Sequence, residues 1–315
     1  MDNNSLLFIK KFLYKFQYII SNFFFKTLFP FWQTLGFHLV RNHFYEPIPD
    51  TRTLKYDLWT NYSKLIGLSM NIKKQVSLLS TFSKRFKHEY EHFPVEQTQV
   101  PYEYYINNVG FESVDGEILY CMIRNFKPKK FFEIGSGNST FLAAKAALQN
   151  KKDGYPVELI AIDPYPNKII KSGFPGFSKV IISKIEDVPV AKFGELKKND
   201  ILFIDSSHVL RIGGDVWYEY CEILPRLKKG VMVHVHDIFL PAEYPKRHVL
   251  KGYYFWNEQY LLQTFLAFNR SFEILFGGSY MHLNHSAKLK AAFSSYDPKK
   301  RGGPGPSSFW LRRIA

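Results

Sequence analysis

Apolar positions recur in three regimes along the chain. In residues 5 to 32, Leu6, Leu7, Phe8, Ile9, Phe12, Leu13, Phe16, Ile19, Ile20, Phe23, Phe24 and Phe25 follow one another at helical intervals, broken by Lys10, Lys11, Lys15 and Lys26. A membrane-spanning helix needs about 20 uninterrupted apolar residues, and the lysines cut this stretch short. Pro30, Phe31 and Trp32 stand where a secretory signal would place small residues for cleavage. Two readings stay open: an interfacial helix with lysines toward anionic headgroups and Phe and Leu among acyl chains, or an amphipathic helix docked on the protein's own body or a second subunit.

The segment from Arg41 to Asp50 carries two prolines around Ile48, which predicts an extended connection. A helical pattern then runs from Thr53 to Tyr90 through Leu54, Leu58, Leu65, Val76, Leu79 and Phe82, with Gly67 and Asn71 as interruptions. Beyond Ser113 short apolar runs alternate with longer helical ones. Strands are predicted at Lys130–Ile134, Glu158–Ile162, Lys179–Ser183, Ile201–Ile204, Val231–Val235, Phe272–Phe276 and Phe309–Arg313. Helices are predicted at Ser139–Gln149, Gly214–Leu227 and Trp256–Phe268, and a loop over Arg301–Ser308. Several strands are apolar at nearly every position, as in a parallel sheet covered on both faces. The fold class is therefore α/β, a doubly wound Rossmann-like sheet. The expected organisation is an amphipathic segment over 1–40, a helical cap or substrate region over 41–112, and a ligand-binding domain over 113–315.

Composition narrows the setting. With 315 residues, 46% hydrophobic and 22% charged, the chain has ordinary globular usage and ample length for a core. Its two cysteines, Cys121 and Cys221, form no metal or redox spacing, which fits a reducing cytoplasmic compartment. A net charge of +14 favours anionic partners without choosing among headgroups, nucleic acid and acidic substrates.

In an open parallel sheet, ligands bind at the carboxyl ends of the strands where strand order reverses. After the first strand come Glu133, Ile134, Gly135, Ser136, Gly137, Asn138, Ser139 and Thr140. The two glycines allow a sharp turn and close approach of a ligand, and Asn138 or Ser139 can cap the helix that follows. Asp163 closes the second strand, where a carboxylate can accept both hydroxyls of a ribose. Glu186 and Asp187 follow the third strand, at the place for an adenine amino group. Thr140 replaces the third glycine of the dinucleotide fingerprint, which disfavours a nicotinamide cofactor. The fourth and fifth strands end in Asp205-Ser-Ser-His208 and His234-Val-His236-Asp237, directing imidazoles and carboxylates toward one cleft. Alternation puts His234 and His236 on one face. His208 or His236 can take a proton from an acceptor hydroxyl. Asp205 stands with them as a catalytic candidate. Phe239 to Phe255 is expected to form a mobile lid.

The order and spacing of FFEIGSGNST, AIDPYP, ILFIDSSHV and VMVHVHDIF resemble the successive motifs of class I S-adenosylmethionine-dependent methyltransferases. FIDSSH, GGDV, LPRLKKGV, HDIFLPAEYP and FWNEQYLL are similar to the macrocin O-methyltransferase-like, or methyltransferase-24-like, subgroup. The resemblance implies a seven-stranded sheet ending in an antiparallel hairpin. It implies S-adenosylmethionine held by Glu133, Gly135, Ser136, Gly137, Ser139 and Asp163, with Glu186 or Asp187 near the adenine. It implies O-methylation of a small-molecule or glycosyl acceptor. Asp205 and Asp237 resemble the Mg²⁺ ligands of metal-dependent O-methyltransferases, although Ile238 stands where the catechol and caffeoyl-type enzymes have an amide ligand.

Two other classes compete. His208, His234, His236 and Asp237 could supply an iron facial triad, in keeping with a resemblance to cephalosporin-hydroxylase-like proteins. A cofactor-binding scaffold without turnover is the third. Nucleic acid is disfavoured as substrate, since no N-P-P-Y-like run follows the fourth strand. A homo-oligomer and a peripheral contact of residues 5–32 with the inner membrane face complete the expected partners.

Overall fold

The structure is a computed structural model that describes residues 3–299 and 303–315. The chain divides into two compact units, Met1–Tyr56 and Asp57–Ala315. The first unit consists of α1 (Asn3–Asn22), a π-turn at Phe23–Thr27 and α2 (Phe29–Thr34), followed by irregular chain.

In the second unit α3 spans Ile72–Tyr90, α4 Asp115–Phe126, α5 Asn138–Lys152 and α6 Lys168–Ser172. The helix α7 (Asp215–Tyr218) passes directly into a π-turn and a 3₁₀ turn ending at Arg226, and α8 (Lys246–Leu250), α9 (Glu258–Leu266) and α10 (Gly278–Ala292) complete the set. The strands are β1 (Lys130–Ile134), β2 (Glu158–Ile162), β3 (Lys179–Ile181), β4 (Ile201–Ile204), β5 (Met232–Val235), β6 (Phe272–Gly277) and β7 (Phe309–Arg313). They form one seven-stranded sheet in the order β3-β2-β1-β4-β5-β7-β6. β1 to β5 are parallel, and β7 pairs antiparallel with both β5 and β6. The antiparallel pair is no tight hairpin, because α10 and a loop separate its strands.

Strand alternation explains why both faces are covered. Phe131, Phe203, Met232 and Trp310 join the core built with α3, α4, α5 and α10, whereas Phe132, Leu202, Val233 and Leu311 join the core built with α7 and α9. All eight side chains are fully buried, and each phenylalanine so placed stabilises the fold by roughly 2–3 kcal/mol. Asp200 fixes the register at the other end of the sheet. Its Oδ1 accepts from the backbone N–H of Lys129 and of Lys130, both at 2.9 Å, and its Oδ2 accepts from Lys197 N–H at 2.8 Å.

The helix expected from Thr53 begins only at Ile72. Leu65, Gly67 and Asn71 all take left-handed backbone conformations, which end any helix running through them. Between residues 41 and 112 the chain forms one α-helix, α3, and one 3₁₀ turn at Tyr56–Trp59, set among irregular segments. α4 and α10 carry no mark in the sequence pattern. Of the expected C-terminal loop, Arg301 and Gly302 lie outside the described residues, and the remainder is loop up to Ser308.

Candidate functional site

Strand order reverses between β1 and β4, and the loops leaving these two strands meet there through their backbones. Gly135 has φ +89°, donates its N–H to Ile162 O at 2.9 Å, and would place a Cβ only 2.2 Å from the carbonyl oxygen of Asp205. Only glycine satisfies both conditions. Asp205 returns the contact by donating its N–H to Ile134 O at 2.9 Å. A Cβ on Gly137, by contrast, would meet nothing within 4 Å, so the space beside the turn is open.

The expected serine cap of α5 is replaced by other bonds. Gly137 N–H donates to Thr140 Oγ1 at 2.9 Å, and Ser139 Oγ turns back to donate to Glu133 Oε1 at 2.5 Å. Glu133 has no solvent exposure and its Oε2 has no hydrogen-bond partner within the protein. Burial pushes its pKa up to about 8, against the bonds from Ser139 and Thr140 and with the charges of Asp205 and Asp163 adding to the rise. A buried polar atom left without a partner in this way is costly to the empty chain. Across the turn, Ser136 Oγ donates to Asp163 Oδ2, and Asp163 Oδ1 accepts from Tyr165 N–H at 2.7 Å. Glu186 and Asp187 stand on a 3₁₀ turn after β3 and join neither hydrogen-bonded pair.

His208 sits at the centre of the second half. Its backbone is left-handed at φ +59°. Nδ1 lies 2.9 Å from Glu258 Oε2, and Nε2 lies 3.4 Å from Asp205 Oδ1 and 3.6 Å from Asp237 Oδ2. Burial lowers the basicity of the ring, but the bonds to Asp205 and Glu258 outweigh it and hold the imidazole well above the usual histidine range. Asp205 shifts the other way: its enclosure opposes ionisation, and the charges of His236 and His208 bring it below the usual carboxylate value. His236 is buried against the ring of Phe111, with Nε2 3.9 Å from Asp237 Oδ1. Burial opposes its protonation, while Asp237, Asp205 and Asp115 raise it. Asp237 has itself left the strand, with φ +53°, and accepts from Ser307 Oγ at 3.0 Å.

His234 belongs to the core. It is fully buried, stacked on Phe203 with centroids 3.9 Å apart, and bonded through Nε2 to Ser308 Oγ at 3.0 Å. Burial and the neighbouring His236 push its pKa well down. The iron set drawn from His208, His234, His236 and Asp237 therefore lacks this member.

A cavity of about 740 Å³ opens beside Asp237, lined among others by Asp115, Phe239, Lys246, Arg247 and His248. The segment expected as a mobile lid is anchored in its first half. Phe239 N–H donates to Gln259 Oε1, Tyr244 OH accepts from Gln259 N–H, and Trp59 Nε1 donates to Tyr244 O, all within 3.0 Å.

Glu258, Tyr220 and Ser307 join this cluster, and no local sequence pattern marks them. Glu258 is fully buried and also accepts from Tyr220 OH at 3.0 Å. Asp205 and Asp237, expected as metal ligands, have His208 Nε2 between them, and among the described residues no group of three or more His, Cys, Asp or Glu side chains is arranged to hold a metal ion. The donors present fit a shared imidazole proton better than a resident divalent cation.

Residues 132–238 match a family model described as a methyltransferase domain, a stretch holding both the glycine turn and the His/Asp cluster. An uncharacterized protein of Archaeoglobus fulgidus is 25% identical over 167 residues, covering 50% of this chain and 74% of the relative. Among solved structures, an O-methyltransferase from Bacillus cereus in complex with SAH aligns with 76% of this chain and 91% of its own, at 12% identity and a TM-score of 0.35.

Proposed function

We propose that the chain is an S-adenosylmethionine-dependent methyltransferase acting on a hydroxyl oxygen of a small-molecule or glycosyl acceptor. The observation that carries this reading is the backbone contact of Gly135 with Asp205. It joins a turn with an open side and an unpartnered buried carboxyl oxygen to a cluster organised around one imidazole. The methyltransferase-domain match over 132–238 supports the same reading.

In it, Glu133, Gly135, Ser136, Gly137, Ser139 and Asp163 hold S-adenosylmethionine. Glu133 Oε2 supplies the unpartnered buried oxygen, which accepts from the cationic cofactor once the carboxyl is ionised, Asp163 takes the ribose hydroxyls once Ser136 yields, and Glu186 or Asp187 flanks the adenine. When bound, the sulfonium makes its methyl group electrophilic, so much of the rate comes from placement. The protein's own part is proton removal. With Nδ1–H directed at Glu258, His208 presents Nε2 to the acceptor hydroxyl and takes its proton as the oxygen becomes nucleophilic. Asp205 and Asp237 hold the imidazolium so formed. His236 positions Asp237 and touches no acceptor. The cavity lined by Lys246, Arg247 and His248 receives the rest of the acceptor.

The test is release of S-adenosylhomocysteine from S-adenosylmethionine across a panel of hydroxylated acceptors, with calorimetric titration of S-adenosylhomocysteine alongside. Binding together with acceptor-dependent release is the expected result. Binding without release for any acceptor would leave a scaffold, and no binding would remove the reading altogether.

A further inference from the structure

The unit Met1–Tyr56 presents an apolar surface that the proposed chemistry does not use. Phe12, Phe16, Ile19 and Phe23 follow one another along one side of α1 and into the π-turn, with exposures of 62, 55, 56 and 50%. The rings of Phe12 and Phe16 stack with centroids 6.5 Å apart. Leu13, Ile20 and Phe24 widen the stripe, and Phe31 and Leu35 extend it past the turn into and beyond α2. Trp32 Nε1 donates to Phe24 O at 2.8 Å, which ties α2 to the start of the π-turn. Lys10, Lys11, Lys15 and Lys26 flank the stripe and are exposed, and residues 3–40 contain no aspartate or glutamate.

Exposed aromatic area of this extent marks an interaction surface, and its charge selects the occupant. A second copy laid against it would set lysine against lysine with no acid to pair them. Among the described residues, no helix is long and apolar enough to cross a membrane. A helix with Phe, Leu and Trp on one side and lysines beside them is matched to an anionic lipid surface: the rings enter the acyl boundary while the ammonium groups stay at the phosphates. We infer that α1 and α2 lie in the headgroup layer of a bilayer carrying anionic lipid.

The test is sedimentation of the full chain with vesicles of phosphatidylcholine alone and of phosphatidylcholine mixed with phosphatidylglycerol. Binding to the mixed vesicles is expected. The combined variant Lys10→Gln, Lys11→Gln, Lys15→Gln, Lys26→Gln should weaken it by about tenfold or more, as should raised salt. The variant Phe12→Ser, Phe16→Ser, Ile19→Ser should abolish it. If circular dichroism shows that the serine variant has lost helix, the glutamine variant alone decides. An unaltered chain that binds neither vesicle, or binding that the lysine changes leave intact, overturns the inference. A dimer in sedimentation equilibrium that dissociates in the serine variant, with no vesicle binding, would assign the stripe to a second copy instead.

Discussion

Glu258 Oε2 lies 2.9 Å from Nδ1 of His208, on a carboxylate with no solvent exposure. In the proposed reaction this pair decides which ring nitrogen faces the acceptor and how tightly the ring holds a proton. His208 binds its proton above the ordinary histidine value, because its bonds to Asp205 and Glu258 outweigh the cost of burial. The ring acts as a base only when neutral. Turnover should therefore rise with pH through a value above about 6.5, the unperturbed figure.

Glu258→Gln keeps the shape and removes the charge. The ring then loses its proton more easily, so the rising limb of the pH–rate profile should move to lower pH. Loss of the oriented base should slow turnover by about 100-fold or more at the plateau. Steady-state rates between pH 5.5 and 9.5 measure both effects, and a limb that stays in place would deny Glu258 its positioning role.

Asp163→Ala should weaken S-adenosylhomocysteine binding by roughly 10- to 100-fold, the worth of a charge-assisted pair of hydrogen bonds. Ser136→Ala should have a smaller effect of the opposite sign, tightening binding slightly, since Ser136 donates to Asp163 Oδ2 and competes with the ribose for it. Calorimetric titration of both variants separates these outcomes. Unchanged affinity in Asp163→Ala would dissociate this acid from the cofactor.

Glu133 makes a prediction about stability rather than rate. Its folded pKa of about 8 lies above the ordinary carboxylate value, chiefly because the group is buried. Between about pH 5 and 8 the folded chain holds a proton that the unfolded chain has released, so stability falls as pH rises, by about 1.4 kcal/mol per pH unit for one proton. Glu133→Gln should remove this slope, leaving the variant the more stable chain at pH 8 and the weaker binder of S-adenosylhomocysteine. Urea unfolding across that pH range checks the sign, and parallel slopes for the two proteins would show that Glu133 is ionised in the fold.

What the sequence displayed and what it hid differ in kind. Ile201–Ile204 is legible as a strand because burial on both faces leaves it apolar throughout. The glycine turn is legible because its requirements are local to a few residues. The partnership of His208 and Glu258 spans 50 positions and leaves no periodic trace. The false helix before Ile72 arose from a distant cause as well. Gly67 O accepts from Phe268 N–H at 3.0 Å and Asn71 Nδ2 donates to Ile274 O at 3.3 Å, and these tertiary bonds hold the left-handed residues that the local apolar spacing could not reveal. α10 opens on Gly278 and Ser279, the latter donating through Oγ to Phe239 O, so its start is set by packing rather than by a local cap pattern.

The last prediction concerns Asp205 and Asp237. Their carboxylates lie 3.4 and 3.6 Å from His208 Nε2, so both acids face one imidazole nitrogen. On that geometry, treatment with EDTA should leave turnover unchanged, and added Mg²⁺ should at most inhibit by competing with the imidazole for both acids. Asp237→Asn removes one stabilising charge from the imidazolium, so the rising limb should again move to lower pH, in the same direction as for Glu258→Gln. The alternative makes the opposite demand. If the two acids coordinate Mg²⁺, EDTA abolishes turnover, Mg²⁺ restores it, and Asp237→Asn raises the Mg²⁺ concentration needed without displacing the pH limb. Measuring rate against pH and against Mg²⁺ in the same two proteins therefore assigns the pair either to the proton or to the metal.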